Sequence, residues 1–234
     1  MAKTVFVTGA NRGIGEAIAK RFLDAGDLVV GFTRSGRAPE GSKAMQCDVS
    51  SLDSITTAAE TALQEFGTPD VVIANAGITD DGLFMRMSDE SLESVITTNL
   101  LGSLRFVQKI VPSLLKQKRG SIIFVGSVVG LLGSAGQVNY AASKSGLVGA
   151  ARSLAREVGT RGITVNVIAP GFVNTDMTSV LTDEQKAKII SSIPLGRYAE
   201  SDEIAETVYF LGSDIARYIT GAVIPVDGGL GMGH

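Results

Sequence analysis

The sequence predicts an α/β protein in which a seven-stranded parallel sheet carries helices on both faces. Two observations indicate this fold class: short β-branched runs alternate with longer amphipathic segments almost to the end of the chain, and a Gly-rich turn joins the first run to the first amphipathic segment. With 234 residues, 44% of them hydrophobic, the chain can bury one substantial core. Because no linker-like tract or fixed-period repeat interrupts it, we expect residues 1–234 to form a single domain.

Each strand is predicted from a short apolar or β-branched run bounded by turn residues. The seven predicted strands are residues 4–8, 28–32, 44–46, 71–74, 121–126, 164–169 and 222–226. Helices are predicted from the amphipathic segments between them. They comprise residues 13–25, 52–66, 89 to about 116, 140–160, 183–192 and 202–211.

Local signals mark some helix boundaries. Ser50, three residues before Asp53, and Thr182, three residues before Gln185, are predicted to start helices as capping residues. Pro112 is predicted to kink or fray the last turn of the third helix, because proline removes a backbone donor and crowds the preceding turn.

The segment between the second and third strands breaks the alternation. Its roughly eleven residues include Gly36, Pro39 and Gly41, and they show no helical periodicity. We therefore predict a loop, or at most one helical turn, at this point.

Composition excludes several classes of function. The net charge is −3 with scattered Lys and Arg, which argues against nucleic acid or an anionic membrane as a partner. No run approaches the roughly 18 apolar residues of a membrane span, so we expect a soluble, cytoplasmic protein. Cys47 is the only cysteine, which excludes an internal disulfide, and it is interpreted as a small buried hydrophobe. The only histidine is His234, so neither a Ser-His-Asp hydrolase nor a metal site is expected.

The Gly-rich turn has the strand–turn–helix context of a dinucleotide site, in which glycines let the backbone approach a pyrophosphate at the helix N-terminus. A tight strand-to-helix turn without a ligand is the alternative, because the glycine spacing departs from the Gly-x-Gly-x-x-Gly pattern. The candidate cofactor-binding residues of this turn are Gly9, Asn11, Arg12, Gly13, Ile14 and Gly15.

The end of the second strand favours NADP(H) as the cofactor. It offers no Asp or Glu for the ribose hydroxyls, whereas Arg34, together with Arg12, offers cations to a 2′-phosphate. Asp48 and Val49 are candidates for contact with the adenine, although an Asp that caps a helix is nearly as good an interpretation of Asp48. A further set of candidates ends the fourth strand, at the sheet edge where ligands bind in open α/β folds. These are Asn75, Ala76 and Gly77.

Candidate catalytic residues follow the fifth strand. Tyr140 and Lys144 stand one helical turn apart, downstream of Ser127. Carbonyl reduction needs a proton donor, and a free Tyr with a pKa of about 10 is a poor one near neutrality, so we predict that the Lys144 cation lowers the pKa of Tyr140. Ser127 is assigned to the carbonyl oxygen. Asn99 is a candidate for holding a water that feeds protons to Lys144, although by itself it is better interpreted as a helix-packing amide.

These motifs, with Pro170 and Gly171, resemble in type and order the short-chain dehydrogenase/reductase family over nearly the whole chain. The resemblance implies a Rossmann-like, doubly wound sheet, a catalytic tetrad carried by Asn99, Ser127, Tyr140 and Lys144, the cofactor NADPH, and a homotetramer. It extends the cofactor-binding set, which also includes Tyr140 and Lys144, to Pro170, Gly171, Val173 and Thr175. The loop predicted after the second strand departs from the family pattern, in which a helix follows this strand.

Finer motifs resemble the family's 3-oxoacyl-[acyl-carrier-protein] reductases. They include Gly77-Ile78-Thr79-Asp80, Met85-Arg86-Met87 and Asn139-Tyr140-Ala141-Ala142, and residues 227–234 are similar to those of long-chain, mycolic-acid-type relatives. The likeness implies NADPH-dependent reduction of a 3-oxoacyl thioester on acyl carrier protein, in fatty acid biosynthesis. A reductase or dehydrogenase of CoA thioesters or other small carbonyls is the alternative. A non-catalytic NADP-binding sensor is a remote one, because both Tyr140 and Lys144 are present.

Weaker signals concern the substrate. Leu83, Phe84, Met85 and Met87 are candidates for an acyl groove, with core packing as an equal alternative. Residues 175–181 are a candidate lid. A cationic cluster at helix ends is a candidate surface for docking the acidic carrier, with plain solvated cations as the alternative. It comprises Lys116, Lys118, Arg119 and Arg161. Because these helix ends lie at the amino edge of the predicted sheet, a docked carrier would have to serve a neighbouring subunit.

Overall fold

The computed structural model describes residues 2–175 and 182–232, and its centre is one seven-stranded, all-parallel sheet. The strand order is β3-β2-β1-β4-β5-β6-β7. The strands are β1 Thr4–Thr8, β2 Leu28–Thr33, β3 Lys43–Gln46, β4 Val71–Ala74, β5 Gly120–Val125, β6 Ile163–Pro170 and β7 Val223–Val226. The predicted doubly wound fold is confirmed, and each predicted strand agrees with the structure to within about a residue at either end.

Helices connect the strands and cover both faces of the sheet. They are α1 Gly13–Asp24, α2 Leu52–Phe66, α3 Asp89–Ile96, α4 Ser103–Gln117, α5 Val129–Leu132, α6 Val138–Val158, α7 Asp183–Ser192 and α8 Ser201–Leu211. A π-helical turn, Thr97–Gly102, joins α3 to α4, and short 3₁₀ turns occupy Phe84–Arg86, Gly159–Arg161 and Asp214–Ala216. In the described part of the chain, no helix is both long and apolar enough to cross a membrane.

Two apolar layers hold the helices to the sheet. On one face α2, α4 and α6 bury a cluster that includes Phe6, Phe32 and Phe106, whose rings meet edge to face at centroid distances of 5.2 and 4.8 Å. On the other face α1 and α8 pack around Phe22 and Ile204. Strands buried on both sides must be apolar throughout, which explains why the sequence shows continuous rather than alternating runs.

The predicted loop between β2 and β3 is confirmed, since no helix lies between these strands. Thr33 organises its start, because its hydroxyl donates to the Arg37 carbonyl at 2.8 Å and accepts from the Arg37 amide at 3.0 Å. The loop also packs on the sheet: a β-carbon on Gly31 would lie 2.8 Å from the side chain of Ala38.

Five expectations about helices need correction. The third predicted helix is divided by the π turn, and α5 was not predicted. Pro112 does not fray α4, because the helix continues past it and the Lys118 amide donates to the Leu114 carbonyl in the last turn. The cap of α2 is Ser51 rather than Ser50, and α6 begins two residues before Tyr140. The capping box of Thr182 and Gln185 is confirmed. Nearly all of the candidate lid, residues 176–181, lies outside the described residues.

Candidate functional site

The candidate site lies at the carboxyl edge of the sheet. Because every strand is parallel, the residues that follow β1, β4, β5 and β6 meet at this edge, and the strand order reverses beside β1, where a crevice forms in such folds. The Gly-rich turn follows β1, Asn75 follows β4, Ser127 follows β5 and Gly171 follows β6.

The Gly-rich turn is locked to the end of β4. The Thr8 hydroxyl accepts from the amides of Asn75 and Ala76, both at 3.0 Å, and the Asn75 side-chain amide donates to the carbonyls of Thr8 and Gly9 at 3.0 and 3.3 Å. A β-carbon on Gly9 would lie 2.9 Å from the Ala76 Cα, and one on Gly15 would lie 2.2 Å from the Gly9 carbonyl oxygen. These two glycines are therefore required by the protein's own packing.

The start of α1 is open, in contrast to α2, α3 and α7. Those three helices are capped by the hydroxyls of Ser51, Ser88 and Thr182, whereas the residue before α1 is Arg12, which makes no side-chain cap hydrogen bond among the described residues. The first amides of a helix have no partner within the helix and favour an anion. The exposed Asn11 and Arg12 border this uncapped end.

Lys144 is buried beneath the candidate catalytic groups. It is 5% exposed, and its Nζ donates to the Val125 carbonyl at 2.8 Å. Its Nζ lies 5.7 Å from the ring centroid of Tyr140, which is partly buried one helical turn away. The Ser127 hydroxyl accepts from the Val129 amide at 3.2 Å. The structure thus brings the carboxyl end of β5 and the first turns of α6 together, as the sequence predicted.

Asn99 is fully buried in the π turn and ties three segments together. Its Oδ1 accepts from the Ile78 amide at 2.8 Å, and its Nδ2 donates to the Ile78 carbonyl at 2.9 Å and to the Ser143 hydroxyl at 3.1 Å. A β-carbon on Gly77 would lie 3.2 Å from the Asn99 Oδ1 and 3.5 Å from the Lys144 Nζ. Gly77 therefore leaves space beside both groups.

Comparison with known proteins identifies the family. A family model described as enoyl-(acyl carrier protein) reductase matches residues 9–231. The chain is 47% identical to the 3-oxoacyl-[acyl-carrier-protein] reductase of Haemophilus influenzae, over 97% of this chain and 98% of the relative. It is 45% identical to the enzyme of that name from Escherichia coli, over 98% of each chain, and 43% identical to that of Staphylococcus aureus, over 99% of each chain. The chain belongs to the short-chain dehydrogenase/reductase family.

As a short-chain dehydrogenase/reductase, the protein works with a nicotinamide cofactor. The predicted cofactor-binding residues after β6 contact different parts of the protein, and among them Thr175 lies beside the Gly-rich turn. A β-carbon on Gly171, which follows Pro170, would lie 2.7 Å from the Asp227 Cα, and the Thr175 methyl lies 3.4 Å from the β-carbon position of Gly13. Val173 forms a bridge with Ala199. Ile14 packs against the apolar layer beneath α1.

The residues predicted for the adenosine end lie at the carboxyl ends of β2 and β3. Arg34 is exposed, and Val49 is buried under the π turn. The Asp48 carboxylate accepts from the amide and the hydroxyl of Ser50, at 2.9 and 2.6 Å, and these bonds, with the field of Arg34, hold the pKa of Asp48 below its usual value. Asp48 therefore orders the turn before α2 of this short-chain dehydrogenase/reductase, but it does not cap the helix, because the cap is Ser51.

The predicted direction of the Tyr140 pKa shift is wrong. Burial raises the pKa of Tyr140; the Ser127 hydroxyl opposes the rise through hydrogen bonding, and the Asp81 carboxylate adds to it. Burial also lowers the pKa of Lys144 to about 8. The prediction considered only the charge of Lys144, whereas burial is the largest influence on the pKa of both groups.

Sequence reasoning missed two members of this network, Ser143 and Asn139. The Ser143 hydroxyl links Asn99 to the Tyr140 carbonyl, to which it donates at 2.7 Å. The Asn139 side-chain amide donates to the Asp80 carbonyl at 3.0 Å. Both are polar residues at fully buried positions of α6. The sequence does not reveal their burial, because the apolar residues of α6 are not clearly confined to one face of the helix.

The two substrate-related surfaces lie apart. Leu83, Phe84 and Met85 are 58%, 60% and 85% exposed, and so they are not core residues. At the opposite edge, a β-carbon on Gly162 would lie 3.0 Å from the Lys118 carbonyl oxygen, which brings the ends of α4 and α6 together. All four members of the cationic cluster are exposed, and Arg119 is paired with Asp70 at 3.1 Å.

Proposed function

We propose that the protein reduces 3-oxoacyl-[acyl-carrier-protein] to the 3-hydroxyacyl product with NADPH, in fatty acid biosynthesis. The observation that carries this proposal is the meeting of Ser127, Tyr140 and Lys144 at the carboxyl edge of the sheet, in a chain 43–47% identical to several 3-oxoacyl-[acyl-carrier-protein] reductases.

The crevice fits a nicotinamide dinucleotide. The uncapped start of α1 suits a pyrophosphate, and the space at Gly77 beside Asn99 and Lys144 suits a ribose and its nicotinamide. We assign the remaining cofactor contacts to residues that follow β4 and β6, namely Asn75, Ala76, Pro170, Gly171, Val173 and Thr175. When bound, the cofactor supplies a hydride to the substrate carbonyl carbon.

The chain's own residues manage the proton and the developing charge. Tyr140 donates the proton to the carbonyl oxygen, and its raised pKa keeps the phenol protonated until then. Ser127 donates a hydrogen bond to the same oxygen and stabilises its negative charge. Lys144, a cation below about pH 8, stabilises the phenolate left behind. Asn99 holds the loop of Ile78 against α6 and supports the proton path to Lys144.

The preference for NADPH is assigned to Arg34, with Arg12 as a second cation. Both are exposed at the carboxyl edge, as a 2′-phosphate requires. Arg34→Asp should weaken NADPH binding by about 10–100-fold and NADH binding far less, because a charge-assisted contact becomes a repulsion. Fluorescence titration with each cofactor measures this. Lys43→Asp, an equal charge reversal at the amino end of β3, is the control, and an equal loss of both cofactors in Arg34→Asp would refute the assignment.

The carrier protein is assigned to the cationic cluster at the amino edge. Lys118 and Arg161 are exposed and unpaired by carboxylates among the described residues, and an acidic partner favours such a surface. Because the candidate active site lies at the other edge, a carrier docked here would serve a neighbouring subunit, which agrees with a homotetramer.

A substrate panel tests the proposed function. NADPH oxidation is followed with a carrier-bound 3-oxoacyl thioester, the CoA thioester of the same acyl group and a free ketone. We expect kcat/KM to be highest for the carrier-bound substrate, by about tenfold or more, because remote binding energy is used at the reacting centre. A preference for CoA would favour the alternative reductase, and absence of turnover with bound NADPH would favour the sensor.

A further inference from the structure

A loop at the mouth of the candidate site is fastened to the start of α6. The Gly82 amide donates to the Gly136 carbonyl at 2.8 Å, and the Asn139 side chain donates to the Asp80 carbonyl at 3.0 Å. A third bond differs in kind: the Gln137 side-chain amide donates to the Asp81 carboxylate at 2.9 Å. The first two bonds are accepted by backbone carbonyls, so neither of them involves the charge of Asp81.

The Asp81 carboxylate is held beside the start of α6 without being neutralised. Gln137, the residue that precedes α6, stands three positions before Tyr140 and is an uncharged donor. Among the described residues, no lysine or arginine forms an ion pair with Asp81. A negative charge is also favourable at a helix N-terminus, which stabilises the arrangement.

We propose that Asp81 is a positioning residue for proton donation: its carboxylate, fixed beside the start of α6 by Gln137, keeps Tyr140 in the protonated form and so extends reduction to higher pH. This inference rests on the proposed function, in which Tyr140 is the proton donor.

The charged groups around Tyr140 give the effect a definite sign. Lys144 faces the phenol from α6, Asp81 from the fastened loop, and the uncharged Ser127 hydroxyl from the end of β5. A negative charge raises the pKa of a phenol and of an ammonium alike. Neutralising Asp81 therefore lowers the alkaline limit of reduction whichever of the two groups sets it. Because Asp81 is exposed and its charge is screened by water, we expect a shift of at most about half a pH unit.

The test compares Asp81→Asn with Asp80→Asn. The first substitution removes the charge but keeps an oxygen to accept from Gln137; the second removes a neighbouring charge and keeps the Asp80 carbonyl that holds Asn139. With an acetoacetyl thioester and NADPH, kcat/KM is measured from about pH 6 to about pH 10. We expect the alkaline limb to move down by about half a unit in Asp81→Asn and to stay unchanged in Asp80→Asn. Salt at about 1 M should reproduce part of the shift in the wild type.

A second measurement is independent of turnover. Phenolate absorbance is titrated in the wild type and in Asp81→Asn, and each curve is corrected by subtracting the matching protein with Tyr140→Phe. A lower Tyr140 pKa in Asp81→Asn supports the inference even if no thioester is reduced, a result that would count against the proposed function alone. An unchanged Tyr140 titration, or equal shifts in both variants, overturns it.

Discussion

The two edges of the sheet present polar groups in opposite ways. At the carboxyl edge, Asn99 and Lys144 are 0% and 5% exposed, and each is bonded to a backbone carbonyl of another segment. At the amino edge, Lys118 and Arg161 extend into solvent from helix ends. A buried polar group costs free energy unless it is bonded, whereas a solvated cation costs almost nothing. Changes at the carboxyl edge should therefore alter the catalytic rate strongly, and changes at the amino edge should have weak effects that diminish as salt is added.

The largest effect is expected for Tyr140→Phe. Removing one hydroxyl keeps the ring's packing, so the protein should fold and bind NADPH normally. Reduction should fall by about 10²–10⁴-fold, the usual contribution of a general acid. Steady-state kinetics and a cofactor titration check this together. Turnover close to that of the wild type would contradict the assignment of Tyr140.

Lys144→Met should separate activity from stability. A pKa lowered from 10.5 to about 8 means that burying this ammonium disfavours the folded state, by about 3 kcal/mol below pH 8, with the penalty fading as pH rises toward 10.5. Reduction should fall in Lys144→Met because the cation that stabilises the phenolate is lost. The melting temperature at neutral pH should not fall, because the burial penalty of the ammonium is lost as well. In the wild type, kcat/KM should decline above about pH 8, where Lys144 loses its charge. A melting temperature clearly lower than that of the wild type would show that the ammonium stabilises the fold.

Gly130→Ala tests how tightly the carboxyl edge is packed. A β-carbon there would lie 2.9 Å from the Lys144 Cβ and 3.0 Å from its carbonyl carbon, so α5 must move away from α6. We expect a loss of about 1–3 kcal/mol of unfolding free energy and several-fold lower activity. Gly149→Ala is the matched control on α6, because nothing lies within 4 Å of its β-carbon position, and it should stabilise by about 0.5–1 kcal/mol. Denaturant unfolding of both variants decides, and equal stabilities would contradict the packing argument.

The smallest effect is expected at the amino edge. Lys118→Glu combined with Arg161→Glu should raise KM for a carrier-bound substrate by about 3–10-fold at low salt, and less at high salt, because exposed charges are screened. KM for a small acetoacetyl thioester should not change. Lys20→Glu with Arg217→Glu, two exposed cations outside the cluster, is the control. If carrier-bound and small substrates respond alike, the cluster is only a solvated surface.

Much of the fold could be predicted because its signals are local. The bounds of α2 and α7 agree with prediction, since each helix begins directly after a residue whose hydroxyl caps it. The π turn that holds Asn99 could not be predicted, because a change from α to π hydrogen bonding leaves no mark in composition. The short α5 was missed for a related reason: four residues carry no measurable periodicity.

The sequence by itself determined which groups reach the carboxyl edge, since in a parallel sheet the end of each strand fixes its place. It indicated Ser127, Tyr140 and Lys144, the loop after β2 and the absence of an acidic residue there. Only the tertiary structure decided how those groups ionise, because a pKa depends on water excluded by segments distant in the chain. It also decided that Gly9 and Gly15 must be glycines. A side chain at either position would collide with Asn75, and one at Gly15 would also collide with the Gly9 carbonyl.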